Sequence, residues 1–453
     1  MPFHAEGGTR RPGAAEAAEV GGDDAAHVTE SVDLVEPQGG VEREAVNEEG
    51  NRSLAPLPIA HAEAVDRHSW HGDQFPTPWD LASQNRTRST ARLSPHTVIT
   101  AGIPREFGAI LAPRLRRALS SLVAVSPARI DLARLPTPLE RAPRLRAAWG
   151  GPEIWVKRDD LTGFELSGNK VRKLEYHFGA AIAAGATTVV TCGAAQSNHC
   201  RATAAAAARV GLRCLLFLRT PDGLPPAALS GNHLLQRLAG AECRFITPAQ
   251  YRDRDSLMAE ARLRIGDAWV IPEGASDAIG ALGYVDAAHE LAAQIGEIAG
   301  PFTIWHPASS AGTTAGLIRG VAETSIDAEV VACSVGEPAA EVAARVEAIL
   351  GGDLPPGVRW SVNDAHVGGG YGVVTADELA VQAAASRLTG MVFDPTYTGK
   401  ALYGLVMEIA AGTFDGGDTV VFWHTGGGFA AFAHDWSAVL SAEHGEADRS
   451  TGQ

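Results

Sequence analysis

The chain has 453 residues, 45% of them apolar, and a formal charge of −15, which suits a soluble α/β protein with ample core. Residues 1–50 hold twelve Asp/Glu against three Arg, a net of −9. The rest is only mildly acidic, which argues against a nucleic-acid partner. No apolar run reaches the length of a membrane span, and the acidic start does not resemble a signal or transit peptide. Five cysteines without a C-x-x-C pair read as reduced thiols, so a cytoplasmic protein is expected.

Taken in chain order, residues 1–124 read as a disordered or irregular extension, poor in apolar periodicity. Organised sequence begins near Ile130. Thr187–Cys192 reads as a buried strand, Asn198–Val210 as an alanine-rich helix and Cys214–Leu218 as another strand. A helix through Leu234–Ala239 leads to a strand at Cys243–Ile246. Further strands are expected at Phe302–Trp305, Val330–Val335, Val392–Asp394 and Thr419–Trp423. Alternation of this kind predicts parallel sheets with helices on both faces. Chemistry then belongs in the loops at the carboxyl ends of the strands.

Four such loops stand out. Gly193-Ala-Ala-Gln-Ser-Asn-His-Cys200 places Ser197, Asn198 and His199 at a helix start, where they serve either as an N-cap or as ligands. Ser309-Ser-Ala-Gly-Thr-Thr-Ala-Gly316 is small and hydroxyl-rich, suited to an anion at a helix N-terminus, and is not a Walker A loop. The others are Gly368-Gly-Gly-Tyr-Gly372 and His424-Thr-Gly-Gly-Gly428. Only four of the 38 basic residues are lysine: Lys157, Lys170, Lys173 and Lys400. A lysine kept against so strong an arginine bias suggests amine chemistry, since a guanidinium stays protonated. A phosphate-bearing cofactor that also needs an amine is pyridoxal 5'-phosphate.

Seven ordered motifs carry a resemblance over some 300 residues. They are Leu135-Pro-Thr-Pro-Leu139, Lys157-Arg-Asp-Asp160, Glu165-Leu-Ser-Gly-Asn-Lys-Val-Arg-Lys-Leu-Glu175 and Gln196-Ser-Asn-His-Cys-Arg-Ala-Thr203, then Ala311-Gly-Thr-Thr-Ala-Gly316, Asp394-Pro-Thr-Tyr-Thr-Gly-Lys400 and His424-Thr-Gly-Gly427. With them the chain resembles the D-cysteine desulfhydrase/1-aminocyclopropane-1-carboxylate deaminase family of tryptophan-synthase-β-like enzymes. The resemblance implies the α/β fold of a fold-type II pyridoxal-phosphate enzyme, with two domains, each a mainly parallel sheet flanked by helices. The domains expected are a large one of residues 125–172 plus 284–445 and a small one of 173–283, followed by a tail at 446–453. The partners expected are a small amino-acid substrate and a second copy in a homodimer, with no nucleic acid, membrane or metal.

Residue by residue, the resemblance implies that Lys170 is the Schiff-base lysine and the base at Cα. Ser310, Ala311, Gly312 and Thr313 would hold the cofactor phosphate, with Lys173 nearby, and Asn198 would meet the ring hydroxyl. Ser197 matches a serine that touches the substrate carboxylate or acts as nucleophile, and Tyr371 and Tyr397 match two active-site tyrosines. Thr398 and Thr425 stand where the cyclopropane-opening deaminases carry Glu and Leu. A hydroxyl gives the ring nitrogen only a neutral hydrogen bond, which suits expulsion of a good leaving group such as hydrosulfide. Two departures from the family wording, Glu273-Gly-Ala-Ser-Asp277 and Ser309-Ser-Ala-Gly312, lie in expected ligand loops. The activity expected is α,β-elimination of D-cysteine to pyruvate, ammonia and hydrogen sulfide. The alternatives are 1-aminocyclopropane-1-carboxylate deamination, a lyase on another β-substituted amino acid such as cysteate, and a catalytically silent pyridoxal-phosphate-binding protein.

Overall fold

A computed structural model describes residues 128–298, 300–437 and 439–440. The expected extension at 1–124 and the tail at 446–453 lie outside the described residues. The first elements are β1 (Leu139–Arg141), α1 (Pro143–Trp149), β2 (Glu153–Lys157), α2 (Lys170–Ala183), β3 (Thr188–Ala194) and α3 (Asn198–Val210). Next come β4 (Arg213–Arg219), α4 (Gly231–Leu238), β5 (Glu242–Ile246), α5 (Pro248–Arg252), α6 (Arg254–Ile265), β6 (Ala268–Val270) and α7 (Ala278–Gln294). The remainder is β7 (Phe302–Ala308), α8 (Gly312–Thr324), β8 (Ala328–Ser334), α9 (Ala339–Ile349), β9 (Arg359–Asn363), α10 (Ala376–Thr389), α11 (Thr398–Ala410), β10 (Thr419–Trp423) and α12 (Gly428–Ala431).

These strands make two sheets. One has the order β1-β2-β10-β7-β8-β9, parallel except for the β1–β2 pair, and the other is β5-β4-β3-β6, parallel throughout. Helices bury both faces, so the central strands read as unbroken apolar runs: Val420-Val-Phe-Trp423 is at most 1% exposed along its length. Each such side chain contributes roughly 1.5–3 kcal/mol by leaving water.

Close helix packing rests on missing side chains. A Cβ on Gly316 of α8 would sit 2.5 Å from the Tyr284 Cβ of α7, and one on Gly320 would sit 2.5 Å from the Ala288 Cβ. Buried charge then fixes the ends. The Asp159 carboxylate accepts from Arg172 (2.8 and 2.9 Å), Tyr284 Oη (2.6 Å) and Trp423 Nε1 (2.8 Å), joining the turn after β2 to α2, α7 and β10. Complete burial favours its protonated form, yet the Arg172 guanidinium beside it holds Asp159 down to about 2. Lys157 enters the same cluster through Glu290 and the Thr137 carbonyl, which makes it a structural lysine.

The strand expected at Val392–Asp394 is not one. This segment pairs with no strand. Its flanking amides are taken by threonine side chains instead: Met391 N donates to Thr389 Oγ1 (3.1 Å) and Asp394 N to Thr398 Oγ1 (2.8 Å). Strands β1, β2, β6 and β9, none of them expected, complete the sheets.

Candidate active site

Lys170 opens α2, its side chain half-buried in the wall of a cavity. Burial brings its pKa from 10.5 down to about 8, with the Asp394 carboxylate opposing the shift. The amine donates to Asn169 Oδ1 (3.0 Å), and Asn169 Nδ2 donates to Thr313 Oγ1 (3.1 Å). One asparagine thus ties the amine to the start of α8. A lysine poised this close to neutrality is able to shed its proton and attack a carbonyl.

The N-terminus of α8 is built to receive an anion. Its N-cap, Ala311, takes the left-handed conformation (φ 66°) and caps no amide with its side chain, which leaves the first N–H groups of a thirteen-residue helix directed outwards. Lys173 Nζ donates to Ser276 Oγ (3.1 Å), and Ser276 Oγ meets Ser310 Oγ at 2.7 Å. A Cβ on Gly312 would lie 2.7 Å from Ser276 Oγ and 2.9 Å from Lys173 Nζ, so only glycine keeps the cradle open. Burial and then the neighbouring Lys170 ammonium push the Lys173 pKa well below 10.5. An anion in the cradle would offset both costs.

Two cavities meet at Lys170. Lys170, Asn198, Ser310, Ala311, Thr313 and Thr425 all line one of them. The other has a volume of 460 Å³, and Lys170, Ser197, His199, Arg219, Tyr371 and Tyr397 are among its walls. Tyr397 and Ser310 line both. Lys173 and Gly312 stand behind the cradle. Thr398 lies on neither wall, because its hydroxyl donates to Asp394 Oδ1 (2.9 Å).

Each remaining side chain is held for a reason. Ser197 caps α3, its Oγ accepting from Cys200 N (3.2 Å). Asn198 Oδ1 accepts from Asn232 Nδ2 (2.8 Å), while Asn232 Oδ1 accepts from Arg201 Nε (2.9 Å). With its oxygen committed, Asn198 has an amide N–H₂ left to donate into the cavity. Thr191 Oγ1 donates to the Ile271 carbonyl (2.8 Å), so His199 Nε2 must donate to Thr191 Oγ1 (2.8 Å). Burial and the two lysines keep this histidine neutral, and its Nδ1 is a buried acceptor without a partner.

The tyrosines face each other. Tyr371 Oη and Tyr397 Oη are 2.9 Å apart, and the Lys170 amine sits 5.7 Å from the centre of the Tyr397 ring. Burial pushes the Tyr371 phenol up to about 12 and Tyr397 well above 10, so both keep their protons at neutral pH. Lys400 holds the tyrosine loop from below, donating to the carbonyls of Val367 (2.7 Å) and Gly370 (3.0 Å). Sequence reasoning missed Asn169, Ser276, Asn232, Arg219 and Tyr251. Asn169 and Ser276 lay inside quoted motifs. Arg219 could have been found as the charged residue that closes the apolar run Cys214–Leu218.

An amine that can lose its proton, an anion cradle on a helix N-terminus and an asparagine donor lining the same cavity are the parts that a pyridoxal-phosphate site requires. A family model described as "Pyridoxal-phosphate dependent enzyme" matches residues 130–426, and the chain belongs to that family. It is 37% identical over 320 residues to D-cysteine desulfhydrases of Salmonella paratyphi A and Salmonella choleraesuis, covering 68% of this chain and 96% of each relative. A solved structure titled as an ACC deaminase homologue superposes with a TM-score of 0.60 at 31% identity, covering 75% of this chain and 99% of that one. A fungal L-serine ammonia-lyase from Rhizomucor miehei, at TM-score 0.50 and 17% identity, shares the fold over 68% of this chain and 97% of its own. The chain is a fold-type II pyridoxal-phosphate-dependent lyase acting on a small molecule. Among the described residues no helix is long and apolar enough to cross a membrane.

Proposed function

We propose that this lyase eliminates hydrogen sulfide from D-cysteine, yielding pyruvate and ammonia. The observation that carries the reading is the arrangement of base and acid: the Lys170 amine and the Tyr371–Tyr397 hydroxyl pair share one cavity, with the Tyr397 ring between them. When bound, pyridoxal phosphate supplies an electron sink that stabilises negative charge at the substrate Cα. Lys173, Ser276, Ser310 and the amides opening α8 would hold its phosphate, and the Asn198 amide would donate to the ring hydroxyl. Lys170, neutral in appreciable amount near pH 8, takes the proton from Cα. Ser197 and the first amides of α3 orient the substrate carboxylate. The paired phenols, kept protonated by burial, donate to the departing sulfur.

Elimination is favoured over cyclopropane opening by the hydroxyl of Thr425 on the cofactor cavity wall, which offers only a neutral hydrogen bond. The carboxylate nearest Thr398 is Asp394, which is occupied by the amides of Tyr397 and Thr398. The similarity to enzymes named D-cysteine desulfhydrase over almost their full length points the same way. The test is a side-by-side assay of the purified holoenzyme on D-cysteine, L-cysteine and 1-aminocyclopropane-1-carboxylate. Sulfide and pyruvate in equal amounts from D-cysteine support the proposal. Faster 2-oxobutanoate release from the cyclopropane replaces it with the deaminase reading.

A further inference from the structure

Arg219 and Arg252 line the larger cavity together with Lys170 and Arg254, and Arg219 is the one held between two aromatic rings of its wall. Arg219 ends β4, in register with Ala194 of β3 and Ile246 of β5, so its side chain leaves the carboxyl edge of the small sheet beside the Ser197 loop. Its guanidinium stacks 5.0 Å from the Tyr251 ring centre and 5.8 Å from that of Tyr371. The two carboxylates on the same walls pair with other arginines, with Glu337 Oε2 left buried without a hydrogen-bond partner. Glu273 accepts from Tyr251 Oη (2.6 Å) and pairs with Arg254 (3.1 Å). Glu337 accepts from Ser309 Oγ (3.0 Å) and pairs with Arg345 (3.2 Å). Arg219 makes no ion pair among the described residues, and its planar fork of donors packs against two aromatic rings.

We infer that Arg219 forms a second anion subsite, which selects amino acids whose side chain carries its own negative charge in addition to the α-carboxylate. This rests on the elimination reading proposed above and names the substrate class that the site takes most tightly. The α-carboxylate is served by the N-terminus of α3, one strand away, and a second carboxylate, phosphate or sulfate on the side chain meets the Arg219 fork. For a β-linked oxyanion the step is the same elimination. The Cα proton passes to Lys170, the Cβ–O bond breaks with its electron pair leaving on the oxyanion, and one water converts the released enamine to pyruvate and ammonia. A guanidinium beside the departing group stabilises the charge that develops on it.

Calorimetric titration of the pyridoxal-phosphate-loaded protein with D-aspartate, D-asparagine and D-alanine tests the subsite, because the first two differ in charge and hardly in shape. The expected result is D-aspartate binding at least about tenfold more tightly than D-asparagine, the usual effect of one charge-assisted hydrogen-bonded pair. Arg219→Gln should abolish that preference and Arg219→Lys retain part of it, with D-alanine affinity unchanged in both. Equal binding by the wild type, binding of neither ligand, or a preference that survives Arg219→Gln overturns the inference. So does a D-alanine affinity that falls as far as that for D-aspartate, which would mark Arg219 as a prop for Tyr371. A wild type that prefers D-aspartate yet yields no sulfide from D-cysteine supports the subsite and refutes the desulfhydrase proposal. Sulfide release without the preference does the reverse.

Discussion

Replacing Lys170 with methionine should make the cofactor-free protein more stable, by an amount that depends on pH. The half-buried amine has its pKa lowered from 10.5 to about 8, chiefly because desolvation penalises the ammonium. A depression of that size corresponds to about 3 kcal/mol of destabilisation whenever both folded and unfolded chains carry the proton, that is, below pH 8. Between pH 8 and 10.5 the unfolded chain binds more protons than the folded one, so wild-type stability rises with pH and the cost fades. Methionine fills similar volume without charge. The variant should therefore gain up to about 3 kcal/mol at pH 7 and only about 1 kcal/mol at pH 9.5. Relief of Lys173, whose ammonium is itself destabilised by Lys170, adds in the same direction. Urea unfolding of both apoproteins at the two pH values measures the difference. A variant no more stable than wild type, or a gain that does not shrink at high pH, refutes the claim that burial is what activates this amine.

Three further outcomes are expected. Lys170→Arg should lose the visible absorption band that borohydride abolishes in the wild type, because a guanidinium cannot attach covalently to the cofactor; a reducible chromophore in the variant would reassign the lysine. Lys400→Met should cost about 3 kcal/mol, since it leaves Glu378 (1% exposed, 3.5 Å away) buried without its cation, and should lower kcat about tenfold by loosening the Tyr371 loop. Adding Glu378→Gln should restore stability while leaving kcat low; a rate that recovers with stability would show that Lys400 has no part in placing Tyr371. Thr398→Glu with Thr425→Leu should cut sulfide release from D-cysteine at least about tenfold and give no more than a trace of 2-oxobutanoate, because the new carboxylate meets the buried Asp394, whose own pKa is already raised by burial.

Elements with strong periodicity could be read from sequence almost to the residue: Asn198–Val210 and Thr419–Trp423 match the structure at both ends. The strands that escaped notice are short or polar. Glu153–Lys157 begins and ends on charge, Arg359–Asn363 is a half-exposed edge, and Leu139–Arg141 and Ala268–Val270 have three residues each. Val392–Asp394 had the right composition, but composition does not reveal that threonine hydroxyls on either side capture its amides. The lysine count singled out residues for two different reasons. Lys157 is fully buried and completes a structural ion cluster, whereas Lys170 is half-buried and faces a cavity, a distinction made by Glu290, more than a hundred residues from Lys157. Arg219 was invisible because its meaning lies in what is missing around it.

That contrast extends to the buried charge on and around α2. Asp159, Arg172, Lys157 and Glu290 satisfy one another across β2, the turn after it, α2 and α7, and the pKa values of Asp159, Arg172 and Glu290 move in the direction that favours their charged forms, with only Lys157 lowered by its burial. Such a cluster is inert: taking any member out leaves the rest uncompensated, so it fixes geometry and offers no chemistry. Lys173 is also buried and Lys170 half-buried, but their partners are neutral oxygens of Asn169, Ser276 and Gly274, and their pKa values move against the charged form. The fold sustains this imbalance because the rigid cluster, through Arg172, shares α2 with both lysines and pins the helix that carries them. Stability and reactivity are therefore set by neighbouring residues of one helix: Arg172, fully paired, supports Lys170 and Lys173, whose unmet demand for an anion and an electrophile is what a phosphate-bearing aldehyde satisfies.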